Sequence, residues 1–91
     1  MKDSQIPVLN EAFKLEKFDN EVLLYSVTDT RAVYLNDTAS LVYGMCSSGK
    51  NIGEIIILLE DAYPEEKAVI RGDVTAALNQ LVENGAVILH E

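Results

Sequence analysis

The chain has 91 residues, of which 48% are hydrophobic and 24% are charged, and its formal net charge is −8 at pH 7. This length suits one compact domain, and no apolar run approaches the roughly 18 residues that a membrane-spanning helix needs. The excess of acidic residues opposes binding to a polyanion such as DNA, and a single cysteine excludes an internal disulfide.

The N-terminal ten residues show no sustained hydrophobic period, and proline follows isoleucine at Ile6-Pro7. We therefore expect residues 1–10 to be a flexible lead-in and residues 11–91 to form one domain. The N-terminus also lacks the apolar core of a secretory signal, so we expect a cytoplasmic protein.

Three short runs that follow are typical of β-strands. Residues 12–18 alternate, with Phe13 and Leu15 on the side expected to be buried, and residues 21–27 and 31–35 are rich in strand-favouring types. The pair Asp19-Asn20 and the run Thr28-Asp29-Thr30 supply turn residues between the strands. These runs predict a three-stranded antiparallel meander.

The hydrophobic period then changes from two residues to three or four. Asn36-Asp37-Thr38 offers N-caps for a helix over residues 38–47, and Asn51 with Glu54 resembles the capping box of a second helix. A third helix over residues 66–83 and a short strand over 86–89 follow. The predicted fold class is α+β, a winged helix-turn-helix-like arrangement of a three-stranded antiparallel β-meander, three α-helices and a short C-terminal strand.

The stretch GMCSSGKN, residues 44–51, has the GxxxxGK spacing of a phosphate-binding loop. Such a loop needs a buried strand that leads into a glycine-rich turn and then a helix N-terminus. The residues before Gly44 are instead predicted to be helical, and Asn51 lacks the hydroxyl that ligates Mg²⁺. We interpret the stretch as a helix exit followed by the cap of the next helix.

Side chains with catalytic or metal-binding chemistry are scattered along the chain. Cys46 lies on the apolar side of the first predicted helix, where a free cysteine behaves as a small hydrophobe. His90 is the penultimate residue, and the pairs Glu60-Asp61 and Glu65-Glu66 are typical of a solvated helix end. We therefore expect no enzymatic activity, no metal and no cofactor.

Four features in this order resemble the PqqD family: Tyr34-Leu35-Asn36-Asp37-Thr38-Ala39, the apolar spacing of residues 52–59, Tyr63-Pro64, and the pattern from Asp73 to Gly85. The resemblance covers about residues 20–90. It implies a peptide-binding winged-helix domain, also called the RiPP recognition element. Such a chaperone binds the leader segment of a ribosomally made precursor peptide and presents it to a modifying enzyme, often a radical S-adenosylmethionine enzyme.

Two positions depart from the family members that serve pyrroloquinoline quinone synthesis. Those members tend to have a cysteine-aspartate-glycine turn after the first helix and an aromatic residue after the glycine of the last helix. This chain has Cys46-Ser47-Ser48-Gly49 and Gly85-Ala86-Val87. A different modified-peptide pathway is therefore as consistent with the sequence as that one.

Strand addition is the binding mechanism that this resemblance implies. The third strand would lie at a sheet edge, where an extended peptide pairs with its backbone, so proline at Val33 would remove one donor. A groove towards the third helix would add apolar surface and a polar rim, although filling the protein's own core is the alternative that we favour for Leu78 and Leu81. The predicted peptide-binding residues are Ala32, Val33, Tyr34, Arg71, Asp73, Val74, Ala77, Leu78, Gln80 and Leu81.

Two other functions share this outline. The second and third helices also fit a winged-helix DNA-binding transcription regulator, but the predicted third helix, residues 66–83, has one arginine and one lysine against three acidic residues. A generic protein-interaction domain would use the same edge strand. We expect a leader peptide and a modifying enzyme as partners, and neither nucleic acid nor a membrane.

Overall fold

The computed structural model of the protein describes residues 1–28 and 30–91, so the predicted turn residue Asp29 lies outside the described residues. The α+β class, the antiparallel meander, the three helices and the C-terminal strand are confirmed. A 3₁₀ turn, Pro64–Glu66, precedes the last helix. The elements in chain order are β1 (Ile6–Leu9), β2 (Phe13–Phe18), β3 (Glu21–Ser26), β4 (Ala32–Leu35), α1 (Asp37–Met45), α2 (Ile52–Ala62), α3 (Lys67–Glu83) and β5 (Val87–His90).

The meander is an antiparallel sheet in the order β2-β3-β4, so β4 lies at one edge. Leu24 in the central strand is completely buried and pairs with Leu15 on one side and Val33 on the other. We expected one face of β2 to be half-buried, but Phe13 packs against the core whereas Leu15 remains 39% exposed. The reason is that α1 contacts β4, at the opposite edge of the sheet from β2.

The N-terminal residues form a strand instead of the expected lead-in. β1 pairs antiparallel with β5, with Ile6 opposite His90. Proline is tolerated because β1 is an edge strand, where one backbone donor can be missing, and Pro7 is fully buried. The prediction of a segment without regular structure is therefore wrong for residues 6–9, and a boundary after residue 10 would divide this two-stranded sheet.

Side-chain caps fix the start of the first two helices. Asn36 Oδ1 accepts from the Ala39 N–H at 2.8 Å at the start of α1. At α2, Asn51 Oδ1 accepts from the Glu54 N–H at 2.8 Å, and Glu54 Oε1 accepts from the Asn51 N–H at 2.9 Å. This reciprocal pair confirms the predicted capping box. Gly44 lies inside α1, so the helical interpretation of the residues before the apparent phosphate loop is confirmed.

The core lies between the sheet and the helices, with α3 packed against both α1 and α2. Within the described residues, no helix is long and apolar enough to cross a membrane. The core side chains that are essentially inaccessible include Leu24, Val42, Ile55, Ile56, Val74, Leu78, Leu81 and Val87. Because α3 supplies three of these side chains, the burial of its apolar face holds the helix against the core.

Candidate functional site

The backbone of β4 determines which of its residues face an added strand. At one end of the β3–β4 pairing, the Ser26 N–H donates to the Arg31 carbonyl at 2.9 Å. Hydrogen-bonded and non-hydrogen-bonded pairs alternate along an antiparallel ladder. Val33, two positions from Arg31, therefore directs its N–H and C=O towards β3, whereas Ala32 and Tyr34 direct theirs away from the sheet.

This register corrects the expectation that Val33 donates to an added peptide. Its N–H lies in the ladder with β3, so proline at this position would break a hydrogen bond of the protein's own sheet. Its side chain also packs against the core, whereas that of Tyr34 is 65% exposed. A substitution that tests strand addition at this edge should therefore be made at Ala32 or Tyr34.

Helix α3 runs beside this edge in the opposite direction to β4. Arg31 Nη1 donates to the Asn84 carbonyl at 3.1 Å, and Gln80 Nε2 lies 3.4 Å from the Tyr34 carbonyl. The second contact is long for a hydrogen bond, so a peptide N–H can replace it at small cost. Further along, a cavity of about 200 Å³ separates Ala77 of α3 from Asn36.

The structure brings several predicted site residues together along this edge. Asp73, Ala77 and Gln80 line the cavity beside β4, and Gln80 reaches the Tyr34 backbone. The sequence reasoning missed Asn36, Thr38 and Ala76, which line the same cavity. The sequence indicated Asn36 only as a helix cap. Because Asn36 connects the edge strand β4 to α1, it also lies at the end of the groove beside β4.

Other predicted residues lie elsewhere. Val74 and Leu78 have no exposed surface and Leu81 is 1% exposed, so in this structure all three fill the domain's own core, as the alternative for Leu78 and Leu81 anticipated. Arg71 makes a two-contact ion pair with Asp3, at 2.9 and 3.0 Å. Arg71 and Gln80 are nine residues apart, two and a half helical turns, so the arginine lies on the opposite side of α3 from the groove.

The ion pair between Arg71 and Asp3 has a structural role. The hydrogen bond from Arg71 lowers the pKa of the Asp3 carboxyl below its usual value, and the Asp3 carbonyl accepts from the Gly53 N–H at 3.0 Å. The ion pair therefore joins the N-terminal segment to α3, and the backbone hydrogen bond joins it to α2. Among the residues that the structure describes, no group of three or more histidine, cysteine or acidic side chains is arranged to hold a metal ion.

Cys46 is a packing residue. Burial raises the pKa of its thiol to about 12, and Sγ donates to the Val42 carbonyl at 3.1 Å. The thiol is thus protonated at neutral pH, whereas a nucleophilic cysteine requires the thiolate. Its expected place in the core is confirmed by an exposed fraction of 3%.

Comparison with known proteins gives one family and one fold. The family described as Coenzyme PQQ synthesis protein D (PqqD) matches residues 21–87. No curated protein matches the sequence. Among solved structures, the chain is similar to TbiB1 in complex with the TbiA(beta) leader peptide, with a TM-score of 0.71 and 19% sequence identity, over 88% of this chain and 93% of that chain. This likeness shows a shared fold.

Proposed function

The chain belongs to the PqqD family, and on this premise we propose that it is a non-catalytic adaptor that binds the leader segment of a ribosomally made precursor peptide. The leader adds to β4 as an extended strand, and the adaptor presents it to a modifying enzyme. The observation that carries this proposal is the outward-facing backbone of Ala32 and Tyr34 at the edge of the sheet, beside α3.

The backbone ladder accounts for only part of the affinity. Two outward residues with one N–H and one C=O each give at most four hydrogen bonds with the peptide, and a net contribution of about 1 kcal/mol for each gives about 4 kcal/mol. A Kd of about 1 μM requires about 8 kcal/mol. Side chains in the groove along α3 must therefore supply at least a comparable share, because association also costs translational and rotational freedom, and they also give the sequence preference.

The family resemblance also implies a class of enzyme partner. We assign the adaptor to a pathway that modifies ribosomally made peptides, with a radical S-adenosylmethionine enzyme as the expected partner. Because the precursor is made on ribosomes, the proposal places the protein in the cytoplasm. The turn Cys46-Ser47-Ser48-Gly49 is consistent with a pathway other than pyrroloquinoline quinone synthesis.

Calorimetric titration tests this function directly. A synthetic leader from a short precursor gene beside this one is expected to bind with a Kd in the micromolar range or below. A scrambled peptide of the same composition is the matched control, because it keeps the charge and hydrophobicity but changes the order of side chains. Equal affinity for both peptides, or binding of double-stranded DNA at low salt in preference to the leader, would contradict the proposal.

A further inference from the structure

A cavity of about 440 Å³ with an apolar floor lies between α1, the end of α2 and the first half of α3. Leu59, Ile70 and Val74 are buried and form its floor. Two wall residues, Leu41 and Val69, remain 45% and 54% exposed although both are aliphatic. Exposed aliphatic side chains around a buried apolar floor are typical of a site that receives an apolar group from another molecule.

The rim of this cavity is acidic. Asp37, Glu66 and Asp73 line it, and none of the described residues that line it is basic. Asp37 lies in the first turn of α1 and Glu66 at the N-cap of α3, where a carboxylate also stabilises the helix end. Asp73 lies in the second turn of α3, beyond that effect, so helix stability does not explain it. Three carboxylates around a low-dielectric floor attract a cation.

The same cavity continues the groove beside β4. Thr38 and Asp73 line both this cavity and the smaller one next to Gln80. A chain that is paired with β4 and extends past Asn36 therefore reaches Thr38 and Asp73, which border the larger cavity. This continuity favours the bound peptide itself as the occupant over a separate protein.

We propose that this cavity, which we call the anchor pocket, binds a large aliphatic or aromatic side chain of the leader peptide that stands next to a lysine or arginine. The inference rests on the proposed function and adds the side-chain chemistry that the leader must carry. The apolar residue contacts Leu41 and Val69 above the floor. The neighbouring cation lies at the acidic rim, close to Asp73.

A random peptide library displayed on mRNA and selected against the full chain provides the probe. The enriched peptides are expected to share a large apolar residue next to lysine or arginine, at a fixed distance from a strand-forming run. Synthetic copies are then titrated against Val69→Asn, with Ile57→Asn as the matched control, because Ile57 is 58% exposed and does not line the pocket. Val69→Asn is expected to weaken binding by about tenfold and the control to leave it unchanged.

The charge preference is tested by a double-mutant cycle. Asp73→Asn is expected to weaken binding of the lysine-containing peptide by about fivefold and to have no effect once that lysine is replaced by glutamine. Glu83→Gln is the control, because Glu83 is also an exposed acidic residue of α3 but lies outside the pocket.

The outcomes separate this inference from the proposed function. Peptides that require the β4 edge but lack the apolar-basic pair, or that respond equally to Val69→Asn and Ile57→Asn, overturn the anchor pocket alone. Peptides that bind equally well when Tyr34 is replaced by proline, or the absence of any enriched peptide, overturn strand addition together with the pocket. A concentration-dependent dimer that Val69→Asn abolishes would show that a second copy of the chain occupies the pocket, which also overturns it.

Discussion

Replacing Leu78 with alanine is expected to lower the free energy of unfolding by about 3 kcal/mol, because a fully buried leucine leaves a cavity that its neighbours fill only partly. Leu78 has no exposed surface and lies in α3, which packs against α1 and α2. Urea denaturation followed by circular dichroism measures this change as a lower midpoint with an unchanged slope.

Val82→Ala provides the control for this core substitution. Val82 is one turn away in the same helix but is 37% exposed, so its truncation is expected to cost less than about 1 kcal/mol. If Leu78→Ala lowers the free energy of unfolding as little as Val82→Ala does, then Leu78 does not fill the core. That result would instead favour Leu78 as a peptide-binding residue of the groove.

Replacing Tyr34 with proline is expected to weaken leader binding by at least about tenfold while the helical circular dichroism signal is retained. Proline removes the outward N–H of Tyr34, and its ring obstructs the close approach of an added strand. The loss of one backbone hydrogen bond, about 1 kcal/mol, accounts for about a fivefold weakening, and the obstruction by the ring adds the rest. Calorimetric titration with the same leader peptide measures the effect.

Two further variants separate the backbone from other contributions. Tyr34→Ala removes the same side chain but keeps the N–H, so the difference between the proline and alanine variants reports the lost N–H and the obstruction by the ring, without the tyrosine side chain. Val33→Pro is expected to destabilise the sheet itself, because that N–H faces β3. Equal affinities of Tyr34→Pro and Tyr34→Ala for the leader would show that the Tyr34 N–H donates no hydrogen bond to the leader.

Local signals predicted the helices well. Asn36 and Asn51 cap α1 and α2 as their sequence context indicates, because a cap depends on hydrogen bonds within about four residues. β1 was missed because its partner is at the other end of the chain, with Leu9 opposite Val87, and because Pro7 interrupts the strand pattern. Nothing local distinguishes such a strand from an irregular terminus.

The candidate site was predicted in part. The edge position of the third strand followed from the resemblance. Which of its residues direct their backbone N–H and C=O away from the sheet depends on the register of the β3–β4 hairpin. The sequence does not determine this register when the turn is long. The position of Arg71 opposite Gln80 was available from helical periodicity alone. The burial of Val74, by contrast, depends on how deeply α3 packs against its neighbours, which is a tertiary property.

Hydrogen exchange of individual backbone amides, measured by NMR with and without a saturating leader peptide, tests the central claim most directly. In the free protein the Val33 amide is expected to be protected by β3, and the amides of Ala32 and Tyr34 are expected to exchange faster. Strand addition predicts that the leader slows exchange at Ala32 and Tyr34 and changes Val33 little. A leader that saturates the protein while Ala32 and Tyr34 exchange as fast as before would contradict it.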